Sequence, residues 1–218
     1  MIKIAVISAS LGGFDKPADH EPQSVAFDYF LFTDENFPAR SKAMTPRLQA
    51  KIPKCFGWQL KPGYDFYLWL DGEFRFKQPD SLKYFLDNCQ EHDICTLRHY
   101  RRPNIRQEFR YTRNGIRQSP YMQNRYNGEL LAEQYAVIEA DKDYADDTLL
   151  LGSVFMYRNS HQVQSALKEW WYHISRYTVA DQLAFPYVLK KAKLKINILP
   201  YDDKPSWYLE SQKHNSRN

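Results

Sequence analysis

The sequence predicts an α/β sandwich, with helices on both faces of a mostly parallel central sheet. Three observations predict it. Short runs of β-branched, aliphatic and aromatic residues recur along the chain, each ending in polar or acidic residues. Helical periodicities fall between those runs. The first run, IKIAVIS at residues 2–8, is nearly continuous in apolarity, as in a strand covered on both faces.

The elements follow in order. After the first strand, SASLGGFDKP reads as a loop. FDYFLFT at 27–33 repeats the pattern of a buried strand and stops at Asp34. Pro46 suits the first turn of a helix, and Pro53 shortens or kinks that helix. DFYLWL at 65–70 is a third strand, ending at Asp71. Leu82, Phe85, Leu86 and Cys89 then share one helical face, with Asp80 as the expected N-cap. DICTLR at 93–98 makes a fourth strand. Residues 104–138 are polar and Arg-rich, gaining helical periodicity near Leu130. TLLLGSVFMY at 148–157 is a strand interrupted by one Gly, the mark of a bulge. An amphipathic helix at 161–177 carries Val163, Leu167, Trp170 and Ile174 on one stripe. A helix at about 180–191, kinked by Pro186, and a short strand at 195–199 complete the fold. One domain over 1–204 is expected, followed by a frayed polar tail at 205–218.

Composition sets bounds. The chain has 218 residues, 43% hydrophobic and 26% charged, which suits a globular protein rather than a disordered one. Its net charge of +4 is too mild to imply nucleic acid as a partner. Charge is segregated, however. Eight arginines and one acid lie between Arg98 and Arg125, and five acids lie between Glu139 and Asp147. That points to an anionic ligand near the first stretch. Three cysteines without a CxxC pair argue against a disulfide scaffold and a structural zinc. No apolar run is long enough to span a membrane, so a cytoplasmic protein is expected. No GxGxxG, P-loop or GxSxG motif appears.

Ligands in open α/β sheets bind beyond the carboxyl ends of the strands. Ser8, Asp34, Asp71 and Arg98–His99 lie at such ends. In YLWLDGEF, Asp71 and Glu73 offer two hard oxygen donors for Mg²⁺ or Mn²⁺. Asp-Gly alone is better explained by a tight turn. RHYRR at 98–102 offers guanidinium forks to phosphate, although charge runs commonly form solvated loops. Asp181 has two readings as well. It completes a capping box with Thr178, or it meets a sugar hydroxyl or serves as a base. Glu108 and Glu133 are lesser carboxylates of the same kind.

Taken together, YLWLDGEF, LRHYRRPNIRQEF, GSVFMYRNS with its following Trp-bearing helix, and TVADQLAF resemble the glycosyltransferase-like domain of plant mucilage and turgor-regulation proteins, a family with stand-alone bacterial members. The resemblance spans about residues 25–200. It implies a GT-A-like, Rossmann-like sandwich and transfer of a sugar from a nucleoside diphosphate sugar, with UDP favoured, to a glycan or other hydroxyl acceptor. It further implies Mn²⁺ or Mg²⁺ on Asp71, with Glu73 departing from the strict Asp-x-Asp pattern. Asp71, Asp181 and Glu108 are the implied catalytic groups. Ser8, Thr33, Asp34, Lys54, His99, Arg101, Arg102 and Gln182 are the implied donor contacts. Ala180 stands where relatives often carry Arg. A hydrolase of lipid amides or glycans and a non-catalytic nucleotide-sugar binder are the alternatives.

Overall fold

A computed structural model describes residues 2–13, 19–40, 42–200 and 207–211. In chain order, the first strands are β1 (Ile4–Ser10) and β2 (Asp28–Thr33). Helices α1 (Pro46–Gln49) and α2 (Lys51–Leu60) lead to β3 (Phe66–Leu70), β4 (Phe74–Phe76) and α3 (Ser81–Cys89). Strand β5 (Ile94–Arg98) precedes α4 (Ile105–Gln118), α5 (Pro120–Tyr126) and α6 (Leu131–Ala140). Then come β6 (Leu150–Arg158), α7 (His161–Arg176), a 3₁₀ turn (Asp181–Leu183), α8 (Phe185–Lys191), β7 (Ile196–Leu199) and β8 (Leu209–Ser211).

Six strands form the central sheet in the order β2-β1-β3-β6-β5-β7. All run in one direction except β6, which is antiparallel to both β3 and β5. The mostly parallel α/β sheet expected from the sequence is therefore the sheet observed. Alternate residues of β3 divide between two cores, as the period of a strand requires. Tyr67 and Trp69 face α2, α7 and α8, whereas Phe66, Leu68 and Leu70 face α3. Apolar cover on both faces accounts for FYLWL being buried at every position. β2 differs from expectation. It is an edge strand, and only Phe32 is fully buried.

Local chemistry explains the breaks. Thr45 caps α1 through a bond from the Leu48 amide, and Pro46 starts it. Pro53 lies in the first turn of α2, where its missing N–H costs nothing, and the kink falls later, at Phe56. Pro186 likewise starts α8 rather than kinking a longer helix; the 3₁₀ turn is separate from it. Asp80 does not cap α3 with its side chain but accepts from Ser24 Oγ at 2.5 Å. The expected capping box at Thr178 is absent too, because the Asp181 side chain is engaged elsewhere. The polar tail also departs from expectation at 207–211. Leu209 is fully buried, β8 pairs with β4, and Tyr208 stacks on Tyr84 with centroids 4.1 Å apart. The remainder of that tail lies outside the described residues.

Candidate active site

The parallel strands deliver their carboxyl ends to one rim, and the antiparallel β6 begins there. A cleft of about 490 Å³ opens on this rim. Its wall includes the loop after β1 (Ser10 to Gly12), the turn after β3 (Asp71 to Glu73), α1–α2, the end of α5 and Val179–Gln182.

Asp71 makes the turn that one reading of its dipeptide expects, and its side chain also stands on the cleft. Its carbonyl accepts from the Phe74 amide at 2.9 Å, closing a turn, while its amide donates to the Ser153 carbonyl of β6. The carboxylate lines the cleft. Its Oδ1 accepts from the Trp69 indole at 2.6 Å and from Lys54 Nζ at 3.2 Å. Among the described residues its Oδ2 accepts no hydrogen bond.

Lys54 sits under the cleft floor with a side chain 1% exposed. It reaches Asp181 at 2.6 Å as well as Asp71, and lies 5.4 Å from the ring centres of both Trp69 and Trp170. Lys51, one turn earlier on the same helix face, meets Asp181 at 2.8 Å. Asp181 is fixed further by its carbonyl, which accepts from the Trp170 indole at 2.8 Å. Burial opposes charge on Asp181, but Lys51 and Lys54 outweigh it and hold the carboxyl far below the ordinary range. Burial opposes charge on Lys54 too, and Asp181 and Asp71 together raise its pKa above that of a free lysine. Two aspartates 110 residues apart thus meet at one buried ammonium.

Glu108, from the first turn of α4, lines the same cleft. Burial raises its pKa, against the pull of the Arg102 guanidinium that contacts it. His99 does not face the cleft. Its Nδ1 accepts from the amides of Arg101 and Arg102 at 3.1 and 2.9 Å, and its Nε2 lies 2.9 Å from Arg102 Nη2. Burial and both arginines lower its pKa to about 4.

The expected residues therefore divide. Asp71, Glu73, Glu108, Asp181 and Gln182 line the cleft. Lys54 supports it from below. Arg102 reaches it only through Glu108, and Arg101 stacks on Tyr100. His99 shapes the turn that carries Arg101 and Arg102 and is not among the residues lining the cleft. Ser8 is buried inside β1, and Ser10 and Gly12 stand on the cleft instead. Asp34 braces that loop, its Oδ2 accepting from the Gly12 amide at 2.8 Å. Thr33 takes part in the turn after β2 through Asn36. Lys51, Arg47, Arg125 and Tyr126 were not expected in the site. For Lys51 a signal existed, namely two lysines one turn apart in the otherwise apolar helix KIPKCFGW. No local pattern marks Arg47 and Arg125, which are brought together across 78 residues.

Two carboxylates on one turn, one with an uncommitted oxygen, suit a hard divalent cation that completes its shell with water and phosphate. Among the described residues no group of three or more His, Cys, Asp and Glu converges as a metal site.

The sequence profile of the TOD1/MUCI70, glycosyltransferase-like domain matches residues 39–206. The chain belongs to this family. The TOD1/MUCI70 match begins before α1 and so takes in Lys51, Lys54, Asp71, Glu108 and Asp181, but not β1 and β2. Among solved structures the chain is similar to mouse xyloside xylosyltransferase 1 in its apo form, with 10% identity, a TM-score of 0.42, and 91% of this chain and 85% of that chain covered. No curated protein matches it. In this TOD1/MUCI70 member, no helix among the described residues is long and apolar enough to cross a membrane.

Proposed function

We propose that this chain transfers a sugar from a nucleoside diphosphate sugar, UDP favoured, to a hydroxyl of a glycan acceptor. The observation that carries the reading is the Asp71–Lys54–Asp181 network at the cleft, on the strand-end rim of a glycosyltransferase-like domain.

Asp181 is too acidic in its double ion pair to collect a proton, so it accepts hydrogen bonds from sugar hydroxyls and fixes the donor. Glu108, whose pKa burial raises, is the better proton acceptor on the cleft wall. The acceptor oxygen bonds to the anomeric carbon, the bond from that carbon to the phosphate oxygen breaks, and the hydroxyl proton passes to Glu108. The broken bond's electron pair leaves on the diphosphate. Asp71 and Glu73 would hold Mn²⁺ or Mg²⁺, which when bound neutralises charge on that leaving group. Gln182 offers an amide to the sugar from the same wall.

A screen of UDP-sugars and other nucleotide sugars, read by nucleoside diphosphate release with oligosaccharide acceptors, tests the reading. Asp71→Asn and Asp181→Asn should each lower turnover by roughly a hundredfold or more, a few kcal/mol of transition-state stabilisation. Wild-type protein that neither binds nor turns over any nucleotide sugar, with or without Mn²⁺, would refute it.

A further inference from the structure

We propose that Arg47 and Arg125 form an oxyanion subsite of the cleft that takes the donor diphosphate directly, so that part of its binding needs no metal. The proposal rests on the glycosyl-transfer reading and deepens it.

Both arginines are half-buried and line the cleft. Arg47 Nη1 donates to the Arg125 carbonyl at 3.3 Å, which ties α1 to the last turn of α5. Arg125 lies over the rings of Tyr121 and Tyr126, 5.1 and 5.5 Å from their centres, so aromatic faces hold its plane. The Arg47 guanidinium thus meets the backbone of Arg125, and burial and the Arg125 charge both disfavour the charge of Arg47. Glu129, the acid whose field reaches Arg47, turns its carboxylate to Thr178 and to the Val179 amide. An oxyanion gripped by two forks relieves that repulsion.

Charge matching and position select the diphosphate. In the cleft Lys51 and Lys54 meet the carboxylates of Asp181 and Asp71, and Arg102 that of Glu108, while Arg125 Nη1 donates to the Tyr121 hydroxyl. Arg47 follows Pro46, whose ring packs so close to Gly12 that a Cβ there would come within 3.0 Å. The pair therefore stands beside the loop after the first strand, where open α/β sheets receive phosphate groups.

Calorimetric titration with pyrophosphate, with UDP and with a uronic-acid trisaccharide, all in chelator, tests the subsite in the full chain. Wild type should bind pyrophosphate and UDP. Arg47→Met and Arg125→Met should each weaken both by roughly ten- to a hundredfold, the range for charge-assisted hydrogen bonds. Arg47→Lys should recover part of the loss, because a point charge replaces a fork. Failure of wild type to bind either anion, or wild-type binding by a folded Arg47→Met protein, overturns the proposal. Loss confined to the uronic-acid ligand overturns the diphosphate assignment in favour of an acidic acceptor. Loss of pyrophosphate binding in Arg47→Met, with no nucleotide sugar bound by wild type, supports the subsite while defeating the donor reading.

Discussion

Lys54 shows how much one side chain can decide. A buried ammonium is costly unless paired, and here it has two carboxylates and two indole faces. Removing one member of such a cluster leaves the others buried without their counter-charge. Lys54→Met should therefore cost about 3 kcal/mol, seen as a melting temperature roughly 10 °C lower for a chain of this size. Arginine should not restore it, because the pocket is closed by Trp170 and by Gly152, whose Cβ position is 3.8 Å from Lys54 Nζ. An unchanged melting curve for Lys54→Met would mean that the aspartates do not depend on it. Glu108 makes a prediction of the opposite kind. Since its carboxyl titrates above the ordinary range, activity should fall as pH drops through that raised value, and Glu108→Gln should abolish that limb of a pH–rate profile.

Among the elements, β6 does more than its run of apolar residues announced. Between Thr96 and Arg98 the register of β5 against β6 shifts. The Thr96 hydroxyl spans the irregularity, bonding the carbonyls of Leu151 and Val154 at 2.8 and 2.9 Å. Gly152 lies within that stretch because the Trp170 ring needs the space; a Cβ would come within 3.3 Å of it. Trp170 in turn holds the Asp181 backbone. Gly152→Ala should cost about 1–3 kcal/mol as overpacking, and should lower turnover more than that loss accounts for, as measured by comparing kcat with thermal stability. Helix α4 teaches a different lesson. Its arginines looked like a ligand site, yet the acidic stretch answers part of that charge within the fold. Asp146 caps the helix through the Ile105 and Arg106 amides, and Glu139 pairs with Arg106 at 3.4 Å.

Over the whole molecule, the burial of histidines sets the pH response. His99 and His173 both have pKa values lowered to about 4, chiefly by burial. In the unfolded chain they titrate near 6.5. Between about pH 6.5 and 4 the unfolded chain binds protons that the fold refuses, so stability should fall as pH drops through that window, by on the order of a few kcal/mol in total. Asp181 acts in the next window. Its depressed pKa contributes stability above the unfolded value near 4, and that contribution is lost as pH falls below it. Thermal melts from pH 7 to 3 check both, and a flat profile between pH 6.5 and 4 would contradict the histidine argument.

Most of the sheet was legible in the chain itself. A strand buried on both faces must be apolar throughout, and FYLWL is. Helix stripes such as Val163, Leu167, Trp170 and Ile174 show in the periodicity because burial demands it. Asp71 was legible too, since a polar residue directly after a buried strand marks the rim. The antiparallel direction of β6 was not, because a run that is buried on both faces reads the same either way. Nor were the ion pairs. Lys54 and Asp181 are 127 residues apart, and Arg47 and Arg125 are 78 apart. Local sequence reports propensity and burial, both of which act over a few residues. Long-range charge pairing depends on which elements the topology places side by side. The sequence by itself therefore determined the α/β class and the strand ends where chemistry belongs. Only the tertiary structure decided which charges meet there, because Coulomb attraction follows distance in space and not separation along the chain.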